Sequence, residues 1–159
     1  MRLLARFLLS PHISLWKYGL IAFPLAIIPS IGLLIVARCL LSAAGVDVNF
    51  FAPPERSASF GEFLGIVVFA PLVETVLLAG VLRVLSLTSS RAMFVAMASA
   101  VIWGGFHAAF GLTWFFGTVW SFFIFSCAYL GWRPVSFKAA FLAAWIPHVL
   151  INLTAMSIV

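Results

Sequence analysis

Charge is what this sequence has least of: charged side chains make up 8% of 159 residues, and Asp and Glu together number 4. An ordinary soluble domain carries about 25% charged residues, so a water-exposed globule is excluded. The net charge of +5 is not gathered into a contiguous basic patch with interleaved aromatics, which excludes a nucleic-acid footprint. Only 2 cysteines are present. Cys39 falls near the outer end of one apolar stretch and Cys127 near the inner end of another, too far apart in depth for the Cα separation of under about 7 Å that a disulfide requires. There is no internal repeat and no low-complexity tract, and the length leaves no room for a second domain.

Apolar residues fill the remainder: 65% of the chain is hydrophobic and the mean hydropathy is +1.22. Runs near the roughly 20 residues needed to cross a bilayer lie between the sparse charges. They predict about five spans, at 19-44, 61-86, 92-110, 113-131 and 139-158, in one all-α polytopic membrane helical bundle covering 1-159. Arg2, Arg6 and Lys17 precede the first span, Arg83 and Arg91 flank the second loop, and Arg133 and Lys138 bracket the fourth. All of these fall on one face, which the positive-inside rule makes cytoplasmic along with the N-terminus. Arg38, Arg56, Asp47, Glu55 and Glu62 fall on the other. Ser42-Ala43-Ala44 loosely resembles a signal-peptide cleavage site, but the preceding apolar run exceeds the 7–15 residues or so of a signal core. It reads as a retained first span of a multi-pass protein.

The longest polar connection, 45-60, holds Asp47, Asn49, Pro53-Pro54 and Glu55-Arg56, turn-forming types suited to an external loop. Pro24 and Pro29 each remove a backbone donor inside span one and predict a kink. Gly61 and Gly65 form a small-xxx-small pair, which reads as a close helix contact. Trp103, Trp114, Trp120, Trp132 and Trp145 read as interfacial anchors, with Trp103 a candidate exception. His12, in the basic N-terminal segment, reads as a solvated or headgroup-level residue.

Three ionisable side chains stand deep inside the apolar spans: Glu74, His107 and His148. A charged group at bilayer depth costs about 2.5–3.5 kcal/mol on insertion scales, so it persists where it faces a protein-lined or watery cavity. Asn152 lies one helical turn beyond His148 and shares its face. A carboxylate beside imidazoles is equipped to take a proton from water and deliver it to a leaving amine, as peptide hydrolysis requires. A nearby carboxamide donor suits the oxyanion that forms. Two His and one Glu also match a catalytic zinc set with an open fourth position, so Glu74, His107 and His148 are the ligands if zinc is present. A metal mechanism wants a separate carboxylate for proton transfer, which favours a metal-free site with no cofactor. In a straight helix at about 1.5 Å per residue, His107 falls roughly 24 Å beyond Arg91. That is nearer the outer face than Glu74 or His148, so the trio needs tilt, a deeper start, or a bend at Gly104-Gly105.

Pro71-Leu72-Val73-Glu74-Thr75-Val76-Leu77-Leu78-Ala79-Gly80 resembles the first motif, Glu-Glu-x-x-x-Arg, of the CPBP family (CAAX proteases and bacteriocin-processing enzymes, also called Abi). Trp103-Gly104-Gly105-Phe106-His107 is similar to its second motif, Phe-x-x-x-His, and His148-Val149-Leu150-Ile151-Asn152 to its third, His-x-x-x-Asn. Each motif is short, but the three occur in family order on separate apolar helices across 71-152. The resemblance implies an intramembrane glutamate-type endopeptidase. Glu74 would activate water with the help of His107, and His148 with Asn152 would complete the site and stabilise the intermediate. The chain departs from the pattern at Thr75, which replaces the second glutamate, at Ala79, which replaces the arginine, and at Trp103, which replaces the phenylalanine. Joint loss of Glu and Arg leaves no orphan buried charge.

By the same resemblance the substrate is a membrane-anchored protein, cut near a hydrophobic, lipidated or C-terminal sorting tail. The short chain is similar to bacterial members of a cytoplasmic membrane. Two further readings accompany it: a non-catalytic immunity or scaffold protein of the same fold, and a small proton-coupled carrier using Glu74 and the histidines as a relay. The single polar cluster and lack of internal repeat count against the carrier.

Overall fold

The computed structural model describes residues 6–46 and 59–157. The external loop expected at 45-60 lies mostly outside them, as does Arg2. The described chain is helical, without strands. Its principal elements are α1 (Leu15–Ala43), α2 (Phe60–Thr88), α3 (Ala92–Ala108), α4 (Leu112–Trp132) and α5 (Phe137–Ser157). This is an all-α polytopic bundle. Helices α1, α2, α4 and α5 are long and apolar enough to cross a membrane, whereas α3, with 17 residues, is shorter. At about 1.5 Å per residue it falls short of a hydrocarbon core about 30 Å thick. Its end lies short of the expected residue 110 because the chain tightens there. Ala109, Phe110 and Gly111 donate to the carbonyls of Phe106, His107 and Ala108 and turn the backbone directly into α4.

Helix α4 is the centre of the bundle and touches all four others, while α2 packs on α3 and α5. Every residue from Ser121 to Tyr129 is buried, as befits a helix apolar on all sides. The start of α1 meets the end of α4. Tyr18 packs edge-on against Trp132 with ring centroids 5.6 Å apart, stacks on Phe7 and donates its hydroxyl to the Leu8 carbonyl.

Glycine contacts fall elsewhere than expected. Nothing lies within 4 Å of a Cβ built on Gly61 or Gly65, so that pair is not a helix contact. Gly104 is one: its Cβ would stand 3.0 Å from the Phe115 ring on α4, and α3 runs unbroken through Gly104-Gly105. The tryptophans also divide. Trp103 and Trp132 are buried in the core, with Trp103 stacked on Phe122 at 4.8 Å. Trp120 donates its indole N–H to the Leu25 carbonyl at 2.8 Å. That carbonyl needs a donor because its partner four residues on is Pro29, which has no N–H. Cys39 is exposed and Cys127 buried, both as free thiols.

Candidate active site

Helix α2 changes register just before its carboxylate. Over Gly65–Phe69 the backbone is a π-helix, and the Ala70 N–H bonds to the Gly65 carbonyl five residues back. In the same register the Ile66 carbonyl points at Pro71, which has no hydrogen to give. The Asn152 side chain fills the gap from α5, donating an Nδ2–H to the Ile66 oxygen at 2.8 Å. Pi-bulges of this kind are frequent at functional sites. Glu74 follows five residues after the π-helix ends at Phe69.

His107 occupies the last turn of α3. Its Nδ1 lies 2.8 Å from the Trp103 carbonyl oxygen, which only accepts, so Nδ1 carries the hydrogen. In the neutral ring Nε2 then presents a lone pair, and Nε2 is 3.9 Å from Glu74 Oε2. His148, behind Pro147 in α5, is buried. Its ring stacks on Phe125 at 4.6 Å and meets Phe122 edge-on at 5.5 Å. That holds Nε2 3.5 Å from the same Glu74 oxygen. Phe122 also packs against His107 at 5.1 Å, so one aromatic ring of α4 spaces the two imidazoles.

The expected difference in depth does not arise. Helices α2 and α3 form a hairpin, with Ser89 to Arg91 as the turn. Glu74 and His107 lie nearly equal numbers of residues from that turn, so equal rise brings them level. No bend at the glycines is required.

Glu74, His107, His148 and Asn152 line one cavity of about 350 Å³ with Ile66, Phe122 and Phe125. Glu74 Oε2 is buried and has no hydrogen-bond partner among the described residues. Its distances to the two rings, 3.9 and 3.5 Å, exceed the roughly 2.7–3.2 Å of a direct N–H···O bond, so both are close polar contacts and neither is a completed hydrogen bond. Asn152 is already committed through one amide hydrogen to Ile66, which leaves its second for anything in the cavity. No group of three or more His, Cys, Asp or Glu among the described residues has the arrangement that holds a metal ion.

Thr75 and Ala79, the two departures on α2, share one buried face. The Thr75 hydroxyl finds no partner there among the described residues. The ring walls Phe122 and Phe125 and the Ile66 carbonyl are parts of the site that residue spacing did not single out. Pro71 signals an orphaned carbonyl in the sequence, but at α-helical spacing that carbonyl is Val67, and only the π-register moves it to Ile66. No known protein family, curated protein or solved structure matches the chain.

Proposed function

We propose that this membrane protein is an intramembrane endopeptidase of the glutamate type, in keeping with the CPBP-like motifs, and that it cuts a membrane-anchored polypeptide near its hydrophobic tail. The observation that carries the proposal is Glu74 Oε2: a buried acid oxygen without a hydrogen bond among the described residues, within 4 Å of two imidazole nitrogens. A purely structural buried carboxylate is hydrogen-bonded as a rule; this one is not, among the described residues, and the rest of the Glu74 side chain lines a cavity.

In the proposed reaction a water lies beside Glu74 and gives a hydrogen bond to His107 Nε2. Glu74 takes its proton as the water oxygen bonds to the substrate carbonyl carbon, and the carbonyl electrons move onto oxygen. The free Asn152 amide hydrogen is the donor for that oxyanion. When the C–N bond breaks, Glu74 returns the proton to the leaving nitrogen. A carboxylic acid and an amine result. His107 and His148 keep the water and the acid in register, their rings fixed by the Trp103 carbonyl and by Phe125.

One observation favours a non-catalytic scaffold of the same fold: the Asn152 amide is already engaged with α2. Glu74→Gln separates the two readings, because it keeps shape and removes the base. Mapping of new N-termini in membranes of cells expressing either form is the test. New termini with the wild-type chain and none with Glu74→Gln, at equal membrane abundance, are expected; identical profiles would leave the scaffold. Zinc content of the purified protein distinguishes this scheme from a metal-bound water held by Glu74, His107 and His148.

A further inference from the structure

A second cavity of about 250 Å³ lies between α1, α4 and α5. Ile27, Ile31 and Leu34 of α1 face Ile151 and Ala155 of α5 across it. It is not separate from the first, since Leu34, Gly117, Ser121, Ile151 and Ala155 line both. Gly117 stands at this junction. A Cβ there would meet only Leu34 methyl groups at 3.9 and 4.0 Å, ordinary contact, so the absent side chain is not dictated by packing. What glycine leaves is an open passage.

One polar feature marks the passage. Ser30 Oγ and Ser121 Oγ are 2.7 Å apart and both residues are buried. Two hydroxyls hold two hydrogens and a single contact uses one, so one O–H remains for a third group. A peptide carbonyl can accept it, and a lipid acyl chain cannot. A cavity of roughly 150 Å³ with apolar walls takes up benzene, so this one has room for a large apolar side chain.

We propose that the α1–α4–α5 crevice is a subsite of the Glu74 site that takes a large apolar side chain of the polypeptide beside the attacked bond, with Gly117 setting the size admitted. The inference rests on the endopeptidase reading for its substrate. The Ser30–Ser121 pair donates to the substrate backbone where it crosses from one cavity to the other.

Photo-crosslinking tests this without turnover. Glu74→Gln protein in phosphatidylcholine vesicles is irradiated with a single-span leucine–alanine peptide carrying one diazirine leucine, and in parallel with diazirine palmitate. Expected is peptide labelling at Leu34 or Ile151, both half-buried in the crevice, above that at Val76, which faces outward on α2. Adding Gly117→Leu reduces it about tenfold, the scale on which apolar pockets discriminate a few carbons, and Gly117→Ala reduces it less. Ile31→Trp fills the crevice from the opposite wall and gives the same loss if Gly117→Leu fails to insert. Labelling no greater than at Val76, labelling indifferent to both variants, or labelling by palmitate alone overturns the subsite. Failure of the endopeptidase reading is seen elsewhere, as wild-type membranes without Glu74-dependent termini.

Discussion

Glu74 and Thr75 are adjacent on α2 with opposite surroundings. Glu74 keeps 25% of its side chain accessible and lines the cavity, whereas Thr75 is 1% accessible and its hydroxyl has no partner among the described residues. A buried hydroxyl without a hydrogen bond costs about 1–3 kcal/mol. Thr75→Val keeps the volume and removes that cost, so thermal unfolding in detergent is expected at the same or a higher temperature, with Glu74-dependent cleavage intact. A lower midpoint would mean that the hydroxyl has a partner. Residues of this rank were readable from the sequence when they broke an apolar background: a lone acid, two imidazoles and a carboxamide were conspicuous, and all four line one cavity. Phe122 and Phe125 were not, because 17 phenylalanines in one chain look alike until packing separates ring walls from lipid-facing surface.

Among the helices, proline leaves carbonyls for other helices to answer. Pro29 and Pro71 each deprive a carbonyl of its helical donor, and a side chain from another helix answers each: Trp120 for Leu25 and Asn152 for Ile66. The orphaned carbonyls thereby fix α4 on α1 and α5 on α2. Trp120→Phe should lower stability by about 1–3 kcal/mol through the unpaired Leu25 oxygen. Pro29→Ala restores a backbone N–H, so in that background the same substitution should cost less. A double-mutant cycle on unfolding free energy reads the difference directly; full additivity would contradict the pairing. The sequence exposed the prolines but not their partners, since the partner depends on which helix lies alongside. The same limit explains Gly61 and Gly65, whose spacing suggested a contact that the bundle makes at Gly104 instead.

Across the whole molecule, α4 holds the other helices in place and the N-terminal segment closes over its end. A Cβ on Gly131 would lie 2.7–2.8 Å from backbone atoms of Leu8 and Leu9, which cannot rotate away as a side chain can. Gly131→Ala is therefore expected to destabilise by about 1–3 kcal/mol as overpacking and to speed proteolysis of the first residues; unchanged digestion would show that the segment is not seated there. The all-α bundle and the order of its principal helices were legible from hydropathy and sparse charge alone, although four of them, not the expected five, are long enough to cross a membrane. The common depth of Glu74 and His107 was not, because it follows from the position of a short turn.

The central claim is that Glu74 activates water for peptide-bond cleavage, and isotope incorporation tests it most directly. Membranes bearing the wild-type chain or Glu74→Gln are incubated in water enriched in oxygen-18, and newly formed C-terminal carboxyl groups are weighed. One heavy oxygen at each new terminus with wild type, and no such termini with Glu74→Gln, is the predicted result. Labelled termini equally abundant with both forms, or absent from both, would contradict it.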